Sequence, residues 1–185
     1  VVKVWRAEAS DYQVIIESQG VVNPMQLTDL ASEVSGKVKF LSPKFEVGQK
    51  FQVNEVILEI DSSDYEAVQA KAVAELADAK LALSKENALS EQALRDWKVL
   101  GKGKEPNDLV LRKPQLESAL ARVVSAKAGL EKAERDLERT KIRSPYESKI
   151  EKTNVELGSL LTLGTVVGSI YSADLYDIRL PVSIN

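Results

Sequence analysis

Leu116-Glu-Ser-Ala-Leu-Ala-Arg-Val-Val-Ser-Ala-Lys-Ala-Gly-Leu-Glu-Lys-Ala-Glu-Arg-Asp-Leu137 is the stretch on which the fold turns. Leu116, Val123, Leu130 and Leu137 recur every seven residues, and Ala119, Ala126 and Ala133 follow the first three of them by three. Large and small apolar residues spaced alternately three and four apart make the a/d seam of a coiled coil. An earlier stretch repeats the grammar: Leu76, Leu83, Ser90 and Trp97 form one row, with Ala72, Ala79 and Ala93 beside it and Glu86 interrupting that second row. Alanine in a seam lets two backbones approach closely, which suits a tight helix pair. Residues 64–140 therefore read as one antiparallel helical hairpin. Its arms meet across Gly101-Lys-Gly-Lys-Glu-Pro-Asn107, whose glycines and proline cannot continue a helix. Arms of about 35 residues, rising about 1.5 Å each, reach about 50 Å, so the hairpin must project. Pro114 either opens the second helix or kinks it.

On either side of the hairpin the sequence repeats itself. Glu46-Val47-Gly48 returns 110 residues later as Glu156-Leu157-Gly158. In that register Phe51 falls on Leu161, Val53 on Leu163, Asn54 on Gly164, Val56 on Val166 and Ile60 on Ile170. Gly36-Lys-Val38 matches Ser148-Lys-Ile150 if two residues, such as Ser42-Pro43, are inserted in the first copy. Each copy is a small β unit with a glycine turn, too short to bury a core alone. Two such units, brought together by a hairpin that returns the chain to its origin, can sandwich face to face. Candidate strands in the first copy are 30–34, 37–40 and 56–60, with turns at Ser35-Gly36, Ser42-Pro43 and Val47-Gly48. Ahead of it, Val2, Val4, Tyr12, Val14, Ile16, Val21 and Val22 alternate loosely, as one or two strands ending in a turn at Asn23-Pro24.

Composition removes several functions. The 185 residues hold 28 acids and 25 bases for a net charge of −3, so no basic footprint invites nucleic acid. Cysteine is absent, which excludes thiol chemistry and disulfides, and histidine is absent, which removes the usual general base near neutral pH. No nucleophile–base pair, phosphate loop or metal cluster stands out, so an enzyme is not expected and no cofactor is called for. No run of about 20 apolar residues offers a membrane span. Glu131-Lys-Ala-Glu-Arg-Asp-Leu-Glu-Arg139 reads as a solvated helix face, and Asp61 and Asp64 as acids favouring a helix N-terminus. The start at Val1-Val-Lys-Val is expected to be that of a trimmed or mature fragment.

The two copies resemble the halves of a biotinyl/lipoyl domain, split by a hairpin where that domain displays its modified lysine. Here that place reads Leu58-Glu-Ile-Asp-Ser-Ser63, with no lysine, so a carrier role fails. Val34-Ser-Gly-Lys-Val38 before the hairpin and Leu137-Glu-Arg-Thr-Lys-Ile-Arg-Ser-Pro145 after it complete a likeness to the membrane fusion proteins, the periplasmic adaptor subunits of tripartite efflux pumps. The likeness is nearest to adaptors of RND-type (proton-driven) pumps. It implies an α+β fold: a lipoyl-like β-sandwich made of two sequence halves, interrupted by a long coiled-coil hairpin, with partial β-barrel strands at both chain ends. It divides the chain into membrane-proximal or barrel strands at 1–26, a first lipoyl half at 27–63, the hairpin at 64–140, a second lipoyl half at 141–173 and the start of a β-barrel at 174–185. Tyr12 to Val22 and Tyr176-Asp-Ile-Arg-Leu-Pro-Val182 would be the barrel strands. Ser148 stands where the family places glycine, which implies a more strained turn.

The resemblance also implies what the protein does. It would join an inner-membrane RND-type transporter to an outer-membrane channel, in the periplasm, held to the inner membrane by a segment outside these residues. Several copies would form a ring, a hexamer or a trimer of dimers. Adaptors of ATP-driven exporters and self-assembling coiled-coil scaffolds are the alternatives. At the hairpin tip the family pattern is Arg, then Leu four positions on, then Ser seven further, engaging the channel. Here Arg95 matches, Val99 replaces the Leu, and Pro106 stands at the Ser position with Asn107 beside it. Arg95, Val99, Leu100, Pro106 and Asn107 are thus the candidate partner-binding residues. Alternatively, Arg95 and Lys98 complement the carbonyl end of the first helix. Lys102 and Lys104 are too few for a nucleic-acid patch.

Overall fold

The computed structural model describes residues 1–6, 8, 9, 11, 15, 18–101 and 105–181. A short strand β1 (Val21–Pro24) leads into the first β unit: β2 (Leu27–Ala31), β3 (Gly36–Leu41), β4 (Lys50–Phe51) and β5 (Val56–Ile60). Helices α1 (Ser63–Leu100) and α2 (Lys113–Glu138) come next. The second unit then supplies β6 (Lys141–Arg143), β7 (Ser148–Thr153), β8 (Leu160–Leu161) and β9 (Val166–Ser172), and β10 (Tyr176–Arg179) pairs back with β1.

Two four-stranded antiparallel sheets, ordered β2-β9-β7-β4 and β6-β5-β3-β8, pack on each other, and each draws two strands from each unit. Replacing every strand by its counterpart in the other unit (β2 by β6, β9 by β5, β7 by β3, β4 by β8) turns one sheet order into the other. The sequence repeat is thus a two-fold symmetry of connectivity, and it extends to single hydrogen bonds. Gly48 N–H donates to Ile150 O at 2.8 Å, and Gly158 N–H to Val38 O at 3.0 Å. Asn54 and Gly164 donate to Ser144 O and Ser32 O, each at 2.8 Å. The turn residues Gly48, Gly158, Asn54 and Gly164 have φ of 87°, 89°, 63° and 84°, the left-handed region open to glycine and tolerated by asparagine. Ser32 and Ser144, both buried, return their hydroxyls to the carbonyls of Val34 at 2.5 Å and Tyr146 at 2.7 Å.

The core between the sheets holds Val38, Phe51, Ile57, Leu58, Ile60, Ile150, Leu161, Val167 and Ile170, all nearly inaccessible. Glu33, just past β2, pairs with Arg139 at the foot of α2, whereas Thr28, near the start of β2, accepts a bond from Tyr146 beyond β6. Strands β2 and β6 therefore run in opposite senses across the two sheets. The hairpin and the β1–β10 ribbon leave the sandwich at opposite ends.

Several boundaries differ from the sequence reading. The strand expected at 30–34 lies at Leu27–Ala31, because Ser32 turns the chain with its own hydroxyl; the one at 37–40 spans Gly36–Leu41, and 56–60 is β5. Asn23 and Pro24 form no turn: they close β1 opposite Asp177 and Tyr176, and proline is tolerated at the end of a two-stranded ribbon. Val2 and Val4 are exposed and outside any strand, while Tyr12, Val14, Ile16 and Val182 lie outside the described residues. Of the matched apolar pairs, Val53 and Leu163 are exposed, and the buried pair Ile57 and Val167 takes their place in the core. Ser148 carries no positive φ and is hydrogen-bonded to Ser144 at 2.7 Å between hydroxyls, so the replacement of glycine brings no backbone strain.

Candidate functional site at the hairpin tip

The hairpin is anchored at its base to one turn. Tyr65, in the first turns of α1, donates its hydroxyl to Ser35 O at 2.7 Å, and Arg139 Nε meets Glu33 Oε2 at 2.8 Å. Both partners sit between β2 and β3. Thr140 is fully buried, accepts the Ile60 N–H at 2.8 Å and returns its hydroxyl to Leu137 O at 2.7 Å. Asp61 starts α1 by accepting the Ser63 hydroxyl at 2.7 Å and its N–H at 3.2 Å; these bonds, with Lys39 nearby, hold its carboxyl below the usual aspartate range.

Away from the base, the two heptad rows on each helix face inward. Every one of Ala72, Leu76, Ala79, Leu83, Glu86, Ser90, Ala93 and Trp97 on α1, and of Leu116, Ala119, Val123, Ala126, Leu130, Ala133 and Leu137 on α2, is buried or half-buried. The alanines approach closest to full burial, with Ala119 and Ala133 each 5% exposed. This is the close backbone approach that an alanine seam permits.

The arms are unequal, which corrects the expectation of two arms of similar length joined across 101–107. At about 1.5 Å per residue, the 38 residues of α1 reach about 57 Å and the 26 of α2 about 39 Å. The connection runs on to Arg112. Asn107 Oδ1 accepts the Val110 N–H at 2.8 Å and opens a single turn. That turn closes when Arg112 N–H donates to Leu109 O at 3.1 Å and Lys113 N–H to Asp108 O at 2.9 Å around a left-handed Arg112. This pair of bonds is the Schellman ending of a helix. Helix α2 then starts at once, with Pro114 in its first turn, where a missing N–H costs nothing. Asp108 pairs with Lys113 at 2.6 Å and raises its pKa above the ordinary lysine value.

The candidate contact residues occupy the far end of α1 and the start of the connection. Arg95 is exposed and lies 3.7 Å from Glu91, one turn back, a weak surface pair. Val99 and Leu100 are 82% and 76% exposed in the last turn. Pro106 is half-buried; Asn107 is exposed, but its side-chain carbonyl is engaged by the Val110 N–H. Lys98 lies in the last turn of α1, where a cation favours the carbonyl end. Lys102 and Lys104 fall outside the described residues. Sequence reasoning missed three participants: Leu109, 68% exposed on the connection, and the pair Glu86 and Arg112 that ties the connection to α1. The heptad gives no signal of this exposure, since a place seven residues before Leu116 marks Leu109 as a seam residue.

This end of the molecule presents the exposed aliphatic side chains of Val99, Leu100 and Leu109 near Arg95, the kind of apolar surface that marks interaction sites. No group of three or more acidic side chains suited to a metal ion occurs among the described residues, and no helix among them is long and apolar enough to cross a membrane. No family model matches the sequence. The chain is 30% identical over 155 residues to the multidrug efflux pump subunit AcrA of Escherichia coli, covering 82% of this chain and 37% of that protein. It is 29% identical over 157 residues to the multidrug resistance protein MexA of Pseudomonas aeruginosa, covering 85% of this chain and 36% of that one. The chain thus spans little more than a third of either relative. In fold it is similar to a MacA–MexA chimera that carries the MexA α-hairpin domain, with a TM-score of 0.64, 24% identity and coverage of 92% of this chain and 55% of the chimera. With its split sandwich and projecting hairpin, the chain is similar in sequence and fold to the membrane fusion proteins of efflux pumps.

Proposed function

We propose that the protein containing these residues is a non-enzymatic adaptor of a multidrug efflux pump, joining an inner-membrane transporter to an outer-membrane channel. The observation that carries the reading is the hairpin: a rigidly based arm whose far end offers Val99 and Leu100 to a partner. The names of the two relatives, a multidrug efflux pump subunit and a multidrug resistance protein, supply the context. The guanidinium of Arg95, on the same turns, can donate in a fork to carbonyls or carboxylates of the channel, and the likeness of the Arg95 phrase to the family pattern, with the length of the hairpin, favours an RND-type pump. The adaptor would work in the periplasm as a ring of copies, anchored at the inner membrane by residues outside this chain. In this reading 27–63 and 141–173 are the lipoyl halves. The β1–β10 ribbon, with exposed Val21, Val22, Tyr176 and Ile178, would continue into a β-barrel domain completed by other segments of the protein.

Val99→Cys and Asn107→Cys, each the one cysteine among these residues, test the contact in cells producing the full-length protein. Crosslinks to an outer-membrane channel are expected from both positions. Crosslinks solely between copies would replace the adaptor by a self-assembling scaffold.

A further inference from the structure

Between Ala72 and Trp97 the seam of α1 is built of alanine, leucine and tryptophan except at Glu86 and Ser90. Both exceptions reach for the connection. Glu86 Oε2 accepts from Nε and Nη2 of Arg112 at 3.0 and 2.8 Å, and Ser90 Oγ donates to Leu111 O at 2.6 Å. Arg112 has φ 56° and ψ 26°, a left-handed conformation unfavourable for any residue with a Cβ. It is kept there although the heptads of α2 do not stop at Lys113. Leu109 stands seven residues before Leu116, and Arg112 seven before Ala119, so a helix continued in the same register would carry Leu109 into the seam. Instead Leu109 is 68% exposed.

We infer that Glu86, Ser90 and Arg112 form a polar latch, which stops the heptad seam from zipping through Leu109 and holds that leucine outward as part of the contact surface for an apolar partner. The outward presentation rests on the reading of the tip as the contact site; the latch does not. Each part of the arrangement agrees with it. A leucine at position 86 would strengthen the coiled coil but leave Arg112 without its carboxylate. Pro114 is harmless in the first turn of α2 but would remove an interior hydrogen bond if the helix began earlier, so it backs the same break. Asn107 supplies the opening bond of the latched turn and Asp108–Lys113 spans it. Glu86, Ser90 and Arg112 are therefore positioning residues, and Leu109 is the side chain they position.

Hydrogen exchange of the full-length protein reads the latch directly, because the amides of Val110, Leu111, Arg112 and Lys113 all donate within this one turn. Glu86→Ala and Arg112→Ala are each expected to speed exchange at these amides about tenfold, through the loss of the charge-assisted Arg112–Glu86 pair, while α2 beyond Leu120 stays protected. Exchanging the two charges, Glu86→Arg with Arg112→Glu, restores most of the protection. Should Glu86→Ala loosen all of α2, Glu86→Gln and Ser90→Ala keep the seam filled and report the same amides. Unchanged exchange at 110–113 in these variants overturns the latch. The presentation is read separately, by crosslinking to the channel from Leu109→Cys, which the latch variants should weaken several-fold. Lost protection with undiminished crosslinking keeps the latch and overturns its role at the tip. No crosslink from the unlatched or the latched protein would instead remove the contact reading, with the latch still judged by exchange.

Discussion

The two β units of this chain agree in backbone and differ in side chains. Gly48 and Gly158 turn the chain at nearly the same φ and donate to equivalent carbonyls, and Asn54 and Gly164 do likewise one turn later. Around these shared turns the means diverge. Glu55 Oε2 accepts the Gln52 N–H at 2.8 Å in the first unit, whereas Thr165 Oγ1 accepts the Thr162 N–H at 3.1 Å in the second. Gly36 is held against Ile60, with no room for a Cβ, while its counterpart Ser148 is a buried hydroxyl bonded to Ser144. The fold demands a backbone path and a filled interior; which side chain meets each demand is free. The two exits differ most, since the first unit leads into an anchored hairpin and the second into a two-stranded ribbon.

The equivalence is most exposed to mutation in the core. Phe51 and Leu161 occupy matched two-residue strands and are 0% and 1% exposed. Phe51→Ala is expected to cost about 3–5 kcal/mol and Leu161→Ala about 2–5 kcal/mol, as transfer and cavity terms add. Urea unfolding monitored by circular dichroism in the β region measures both. A cost near zero at one site alone would mean that the two units do not share one core.

What the sequence disclosed divides in the same way. The heptad rows of α2 and the register of the repeat were readable because each is a local pattern repeated several times, and the structure keeps every seam residue inside. The alignment of Asn54 on Gly164 had a physical content, a left-handed turn, that the letters alone did not state. The start of α2 was not readable. Its heptads run back past Lys113, and what stops them is Glu86, 26 residues away in sequence, holding a left-handed Arg112. Position 86 appeared only as a flaw in the seam. Similarly, Pro24 signalled a turn by its type, but pairing with β10 decided the outcome. At the tip, a family phrase singles out Arg95, Val99 and Pro106 as candidates, whereas the spacing of Leu109 marks it as one more seam residue.

A gentler perturbation probes the turns. A Cβ at Gly164 would meet nothing within 4 Å, and at Gly158 only the end of Lys37 at 3.5 Å, so alanine at either site meets no steric obstacle. The cost is conformational. Gly158→Ala and Gly164→Ala should each destabilise by about 1 kcal/mol, the penalty of a left-handed φ with a Cβ. Gly164→Asn should be nearly neutral, because Asn54 already holds that conformation in the other unit. Thermal melts that ranked asparagine with alanine at 164 would show that the two turns are not equivalent after all.

The smallest expected effect separates the units by pH. In the first unit the Gln52 N–H, and then Lys44 at 2.7 Å, bind the Glu55 carboxylate and hold its pKa below the ordinary value of 4.5. A carboxyl whose folded pKa is depressed stabilises the fold at any pH above its unfolded value and loses that contribution as pH falls through the folded value. Thr165 does the same work with a hydroxyl that does not titrate in this range. Glu55→Thr should therefore leave a turn that still holds its N–H, and should flatten the decline in melting temperature below about pH 4.5 without much change at pH 7. Thr165→Glu, accepting the Thr162 N–H, should add an acid-side slope smaller than that of Glu55, because no cation pairs at that turn among the described residues as Lys44 does at the other. An acid decline identical in the parent and in Glu55→Thr would place the pH sensitivity elsewhere among the exposed carboxylates, and would reduce the difference between the two turns to one of size alone.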